Sequence, residues 1–184
     1  MSRTFPGTTI EIIKLERGSS QVLFDGIFAA GGVTLSQISV MTGLEPYLIQ
    51  NWVKRGFITS PQKRMYSKDQ FSRIIIINML RETLQIEKIC ELIKVIGGVL
   101  DDPADDMISD SELYCRFVDM IAEIGEDTLS EHEIRLASDK ASEDFVEKIP
   151  NSRKKLSGIL RVMLYAYMSA RLRREAEEIF SSLQ

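Results

Sequence analysis

Histidine occurs once, at position 132, and cysteine twice, at 90 and 115, in a chain of 184 residues. A structural zinc site needs four closely grouped Cys and His ligands, and three scattered residues cannot supply one. Neither cysteine belongs to a Cys-x-x-Cys pair, and both sit among apolar neighbours, so they read as buried, inert thiols. With only 5 prolines, collagen-like and proline-rich architectures are excluded. No apolar run approaches the ~20 residues that span a bilayer. Ile74–Ile77 is short, and Ile159–Tyr167 is interrupted by Arg161. The opening Met1-Ser2-Arg3-Thr4-Phe5-Pro6 lacks the apolar core of a signal peptide, so a cytoplasmic protein is expected. Reducing surroundings there disfavour a disulfide. There is no glycine-rich phosphate loop, because Gly31-Gly32 and Gly97-Gly98 stand where helices stop. His132, between Glu131 and Glu133 near a helix start, reads as an exposed side chain rather than a base. The chain is therefore not expected to be an enzyme, nor to carry a cofactor or a metal.

What is present is a soluble composition, 44% apolar and 27% charged, with enough chain to bury a real core. The net charge of −4 conceals an uneven distribution. Residues 1–33 are neutral, residues 34–98 carry nine basic against five acidic groups, and residues 99–184 carry eleven against nineteen. Such asymmetry points to separate jobs for the two halves. Between Lys54 and Arg73 six basic residues face only Asp69, a concentration that suits phosphate.

Helical signals dominate. A short helix over 20–30 ends at Gly31-Gly32, and a second over Leu35–Thr42 stops at Gly43. Pro46 fits the first turn of a third, which runs through Trp52 to Arg55 and ends at Gly56. Phe57 to Tyr66, with Pro61, reads as a small two-stranded turn. Ser67-Lys68-Asp69-Gln70 is a capping box, and the helix behind it aligns Phe71, Ile74, Ile77 and Leu80 on one face. Ile86–Ile96 continues to Gly97-Gly98. The acidic stretch Asp101–Asp110, with Pro103, breaks the pattern and marks a domain boundary; its spacing does not fit a calcium loop. Ser109 to Glu112 opens a helix to about Gly125, and Ser130 to Glu133 opens one toward Ile149. A long helix then starts at Asn151 or Ser152. The expected organisation is an N-terminal segment with one helix (1–33), a middle domain (34–98) and a helical tail domain (99–184).

The middle segment carries the chemistry. Two short helices separated by a glycine turn, with basic residues ending the second, form a helix-turn-helix, whose second helix enters the major groove. Its exposed candidates are Tyr47, Gln50, Asn51 and Lys54. Gln and Asn can pair with adenine and Lys with guanine. Arg55, Lys63 and Arg64 suit phosphates, which position without specifying. Trp52 is expected to fill the space between the helices and the turn.

Several quoted stretches then align together: Thr34-Leu35-Ser36-Gln37-Ile38, Thr42-Gly43-Leu44-Glu45-Pro46, Ile49 through Ile58, and Arg64-Met65-Tyr66-Ser67-Lys68-Asp69. They resemble the winged-helix head of MerR-type transcription regulators, and Leu80-Arg81-Glu82 with Ile86 to Ile89 is similar to that family's next helical pair. The resemblance implies a mainly α protein with a winged helix-turn-helix head, a small β-wing and a C-terminal helical bundle. The chain departs from the family in having Gln50 where arginine is usual and Asn51 where an aromatic or histidine is usual. Its wing between Pro61 and Tyr66 is shorter, and the glycine common between the last two head helices is missing around Leu84-Gln85. An acidic linker and shorter helices replace the long coiled-coil helix that follows the head in effector-binding members. The whole arrangement is similar to a bacterial family of uncharacterised proteins with a MerR-like head and a helical tail.

Two functions stay open. One is a regulator of transcription that binds double-stranded DNA, with the tail for dimerisation or signal input through an effector or protein partner. The other is a non-catalytic interaction protein whose MerR-like head binds another protein. The tail is expected to make a homodimer, because Leu156, Ile159, Leu160, Val162, Met163, Leu164, Tyr165, Tyr167 and Met168 exceed the apolar stripe that one bundle face needs. Their register, begun by Leu156, Ile159, Met163, Ala166 and Ala170, is interrupted by Arg173 and Glu177, so a globular interface is expected. Within the tail, Leu113, Phe117, Met120, Ile121 and Ile124 are expected to face the long C-terminal helix.

Overall fold

A computed structural model describes residues 3–97, 107–125, 129–147 and 149–183, and among these the chain is mainly helical. In chain order come β1 (Arg3–Thr4), β2 (Glu11–Ile12), α1 (Ser19–Phe28), β3 (Val33–Thr34), α2 (Leu35–Thr42), α3 (Pro46–Lys54) and β4 (Met65–Tyr66). Then follow α4 (Lys68–Leu80), α5 (Ile86–Gly97), α6 (Asp110–Ile124), α7 (Glu131–Lys140) and α8 (Ser152–Ser182). The strands form two antiparallel pairs, β1 with β2 and β3 with β4.

The local signals that start and stop helices act as sequence reasoning expects. Ser67 accepts the Gln70 N–H while Gln70 accepts the Ser67 N–H, closing the capping box that opens α4. The same reciprocal pair closes Ser130 with Glu133 at α7, and the Ser109 hydroxyl caps α6. Pro46 occupies the first turn of α3, and Gly56, at φ 73°, follows its end in the left-handed conformation.

Helix α4 sits at the centre. Its expected face of Phe71, Ile74, Ile77 and Leu80 is buried, but so are Ile75, Ile76 and Met79, so the helix is covered almost all round. Each fully buried isoleucine contributes roughly 1.5–3 kcal/mol against leaving it in water. The cover comes from α2, α5, α6 and α8. The chain ahead of α1 also reaches α4. A Cβ on Gly7 would lie 2.4 Å from the Ile75 carbonyl oxygen, so only glycine permits this approach. Asn78, the polar residue behind the isoleucine run, donates to the Gly7 and Thr42 carbonyls at 3.0 and 3.1 Å. Phe24 of α1 stacks on Tyr114 of α6, whose hydroxyl donates to the Pro6 carbonyl at 2.9 Å. Residues from all three sequence segments thus contribute to one apolar core.

Several expectations need correction. Residues 57–66 pair with themselves at a single antiparallel bridge, Gln62 with Met65, rather than as two strands. Only Met65–Tyr66 is extended, and it pairs with Val33–Thr34, the residues that lead into α2. The β1–β2 pair had no signal in the periodicity. Helix α7 stops at Lys140 rather than running toward Ile149. Its last turn is closed by side chains: Ser142 donates to the Ser138 and Asp139 carbonyls, and Arg116 takes the Ala141 carbonyl at 3.2 Å. The cysteines are half-buried and free rather than fully buried, and burial pushes both thiols above their usual range. Of the acidic stretch, residues 101–106 lie outside the described residues, as does Gly98. Asp110 belongs to α6 and is paired, as described below.

The tail helices pack on one another within the chain. Leu113, Phe117 and Met120 are buried, and Phe117 meets Tyr167 of α8 edge-on at 5.8 Å, as expected of that face. The surplus apolar surface of α8 is largely covered within the chain: Leu156, Ile159, Leu160, Met163, Leu164, Ala166, Met168 and Ala170 are all buried. The described part of the chain includes no helix long and apolar enough to cross a membrane. Because Phe117 of α6 is fully buried and its ring meets Tyr167 of α8, Phe117→Ala should cost about 3–5 kcal/mol. Denaturant unfolding measures it, and an unchanged midpoint would show that this contact is not part of the core.

Candidate functional site

The α2–α3 pair is built by short-range rules. Thr34 caps α2 with a reciprocal capping box to Gln37, and Gly43, at φ 69°, ends it with its N–H on the Ser39 carbonyl. A three-residue link leads to Pro46. In α3, Ile49 and Trp52 are buried in the core. The opposite face carries Tyr47, Gln50, Asn51 and Lys54, spaced three, four and seven residues from the first, and all four are exposed. The sequence-derived candidates on α3 therefore form one continuous stripe.

The segment after α3 is pinned at both ends. Gln70, beyond its capping role, donates to the Thr59 carbonyl and hydroxyl at 3.0 and 2.8 Å and to the Ser60 carbonyl at 3.1 Å. Gln62 and Met65 exchange backbone hydrogen bonds of 3.1 and 2.8 Å, closing a hairpin with Lys63 and Arg64 as its two central residues. Both have positive φ, 49° and 65°. Such a turn ordinarily takes Asn-Gly or Asp-Gly, because left-handed backbone is costly for long side chains. Two successive cations are thus held in strained backbone at an exposed tip. Strain of this kind is a mark of residues kept for a role other than stability.

The structure divides the six clustered cations. Arg73 points inward and makes a two-bonded pair with Asp110 of α6, at 2.7 and 3.2 Å, with both side chains largely buried. Burial pushes the Asp110 carboxyl up and the Arg73 charge pulls it back. Arg55 is also engaged: it bonds Glu87 of α5 and lies over the Phe57 ring at 4.4 Å. Backbone hydrogen bonding at Glu87 itself, and then Arg55, hold the Glu87 carboxyl below its usual range. Lys68 faces a groove of about 800 Å³ between α1, α6 and α7. Lys54, Lys63 and Arg64 are exposed and make no ion pair among the described residues.

That groove shows a different balance. Arg17 and Lys140 both pair with Glu123, Arg116 pairs with Glu112 and Asp144, and Asp119 accepts the Gly18 N–H. Its charges are thus mostly bound to one another. His132 is exposed and lies 3.3 Å from an Arg135 nitrogen. Sequence reasoning missed Asn78, which binds the Gly7 and Thr42 carbonyls, and Glu87 and Asp110, which engage Arg55 and Arg73. Asn78 had a signal in being the polar residue that follows four isoleucines. The other two pairings are long-range and had none.

With this geometry in place, comparison with known proteins adds a family match. A model described as a domain of unknown function, DUF1836, matches residues 32–117. The matched span begins just before β3 and ends within α6, so it takes in the α2–α3 pair, the strained hairpin and both partners of the Arg73–Asp110 bond. The chain is similar to the uncharacterized protein YkrK of Bacillus subtilis (strain 168), at 33% identity over 92 residues. That alignment covers 47% of this chain, and the chain spans only 40% of the relative's length. No solved structure matches the chain significantly.

The strained hairpin gives a direct stability test. Lys63→Asn combined with Arg64→Gly should raise the unfolding free energy by about 1 kcal/mol, since the left-handed penalty exceeds the added flexibility of glycine. Unchanged or lower stability in denaturant titration would show that the turn carries no strain.

Proposed function

We propose that the protein is a DNA-binding transcription regulator in which α2 and α3 act as a helix-turn-helix and the 62–65 hairpin as a small wing, as in MerR-type heads. In this reading α3 enters the major groove. Tyr47, Gln50 and Asn51 face base edges, while Lys54 reaches a guanine or a phosphate. Lys63 and Arg64 take the flanking phosphate backbone. The observation that carries the reading is the pair of exposed cations that make no ion pair among the described residues, held in left-handed backbone at the hairpin tip, together with the exposed polar stripe on α3 opposite Ile49 and Trp52. Arg55, bound to Glu87, has a smaller part than its place in the sequence implies. The tail serves dimerisation or signal input. A cytoplasmic location agrees with such a role.

A second reading, docking of another protein on the same pair of helices, draws on the exposed Tyr47 on α3 and Val40 on α2, 65% and 77% accessible. The two readings differ in salt dependence. Phosphate contacts release counterions, so log K for duplex DNA should fall with log salt by about 0.9 per contact. Lys63→Ala and Arg64→Ala should each flatten that slope by about one unit, whereas Gln50→Ala or Asn51→Ala should relax preference at particular bases. Arg55→Ala should leave the slope nearly unchanged. Fluorescence anisotropy with labelled duplexes reads all of these. Equal, salt-independent binding by wild type and a Lys54/Lys63/Arg64 triple alanine variant would overturn the DNA reading.

A further inference from the structure

Arg55 closes α3 at the edge of its exposed stripe, one residue after Lys54 and four after Asn51, whose carbonyl takes the Arg55 N–H at 2.9 Å. Its guanidinium is nevertheless turned aside, and two pieces of local structure hold it there. On one side, the Gly56 N–H bonds the Val53 carbonyl at 3.0 Å and the Phe57 N–H bonds the Trp52 carbonyl at 2.9 Å. That pair of bonds ends a helix on a left-handed glycine, and it fixes the backbone of Phe57. The Phe57 ring centroid then lies 4.4 Å from the guanidinium carbon. On the other side, Glu87 stands in the first turn of α5, where a helix favours negative charge, and its carboxylate also bonds backbone at its own residue. Surface ion pairs contribute little when two mobile side chains must first be ordered. Here the carboxylate is held by its own helix and the guanidinium by the ring.

We propose that Glu87 is an affinity-setting residue of the α3 site, which withholds Arg55 from the phosphate flanking a bound duplex. The proposal rests on the DNA reading above and adds the residue that limits it. Arg55 with Glu87 is a neutral pair, so a phosphate drawn to the guanidinium meets a carboxylate beside it. Such a pair releases no counterion on binding, whereas Lys54, Lys63 and Arg64 each keep a whole charge for the purpose. Phosphate contacts carry no sequence information. Glu87 therefore lowers affinity for all duplexes alike and leaves base preference to Tyr47, Gln50 and Asn51. Glu91, one turn further along α5, lines the same small pocket of about 240 Å³ as Arg55 and Glu87 but makes no ion pair among the described residues. The withholding belongs to one carboxylate.

The test uses the full chain, fluorescence anisotropy with labelled duplexes, and a series of salt concentrations. Glu87→Gln keeps the shape of the side chain and removes its charge. It should steepen the fall of log K with log salt by about 0.9, which tightens binding about eightfold at ~0.1 M salt and hardly at all near ~1 M. The gain should be equal for unrelated duplexes. Glu87→Gln with Arg55→Ala should return the slope to that of wild type, and Glu91→Gln should leave it unchanged. Circular dichroism of every variant should match wild type, since Arg55, Glu87 and Glu91 are all exposed. Salt-dependent binding by wild type with an unchanged slope in Glu87→Gln would overturn the proposal and leave the DNA reading standing. So would a steeper slope that persists in the double variant or appears equally in Glu91→Gln. Salt-independent binding by wild type and Glu87→Gln alike would overturn the reading and the proposal together.

Discussion

Four consecutive isoleucines, Ile74 to Ile77, must all be hidden, and that requirement organises the protein. Successive residues of a helix point about 100° apart, so four in a row cover the whole circumference. A helix of this kind cannot lie on a surface. It has to be enclosed, and α2, α6, α5, α8 and the chain near Gly7 together enclose α4. The division into a basic middle and an acidic tail is real as a charge distribution, but the two regions meet across this helix.

Polar bonds fix the enclosure in register. Asn78 ties the end of α2 to the N-terminal loop, and Arg73 ties α4 to the first turn of α6. Breaking such a largely buried pair by removing one partner leaves an uncompensated charge, which is far more disruptive than replacing both. The same bonds reshape the electrostatic surface. Of the six clustered cations, Arg73 and Arg55 are drawn toward carboxylates and Lys68 is set in the groove, which leaves Lys54, Lys63 and Arg64 exposed with no ion pair among the described residues. The proposed contact with nucleic acid therefore rests on fewer groups than the density of basic residues implies, each placed by defined backbone geometry.

What the sequence revealed was local. Ser67 with Gln70, Ser130 with Glu133, Pro46 at a helix start and Gly43 and Gly56 at helix ends act within a few residues of themselves, and their elements appear where those signals set them. The stripe on α3 was legible for the same reason, since its spacing is a property of one helix. Long-range pairings left no such trace. Nothing in Met65-Tyr66 names Val33-Thr34 as its partner, and nothing in Arg55 or Arg73 names Glu87 or Asp110. The all-round burial of α4 was partly hidden too, because a one-face pattern and a full apolar run coincide over Ile74 and Ile77.

Amide hydrogen exchange followed by mass spectrometry, with and without duplex DNA, tests the central claim that a rigid enclosure of α4 presents α3 and the hairpin to a nucleic acid. The account predicts that amides of α4 exchange slowest in the free protein. Added duplex should slow exchange in α3 and around residues 62–66 while leaving α7 and the end of α8 unchanged. Fast exchange in α4, or protection by DNA that appears only outside α2, α3 and the hairpin, would contradict it.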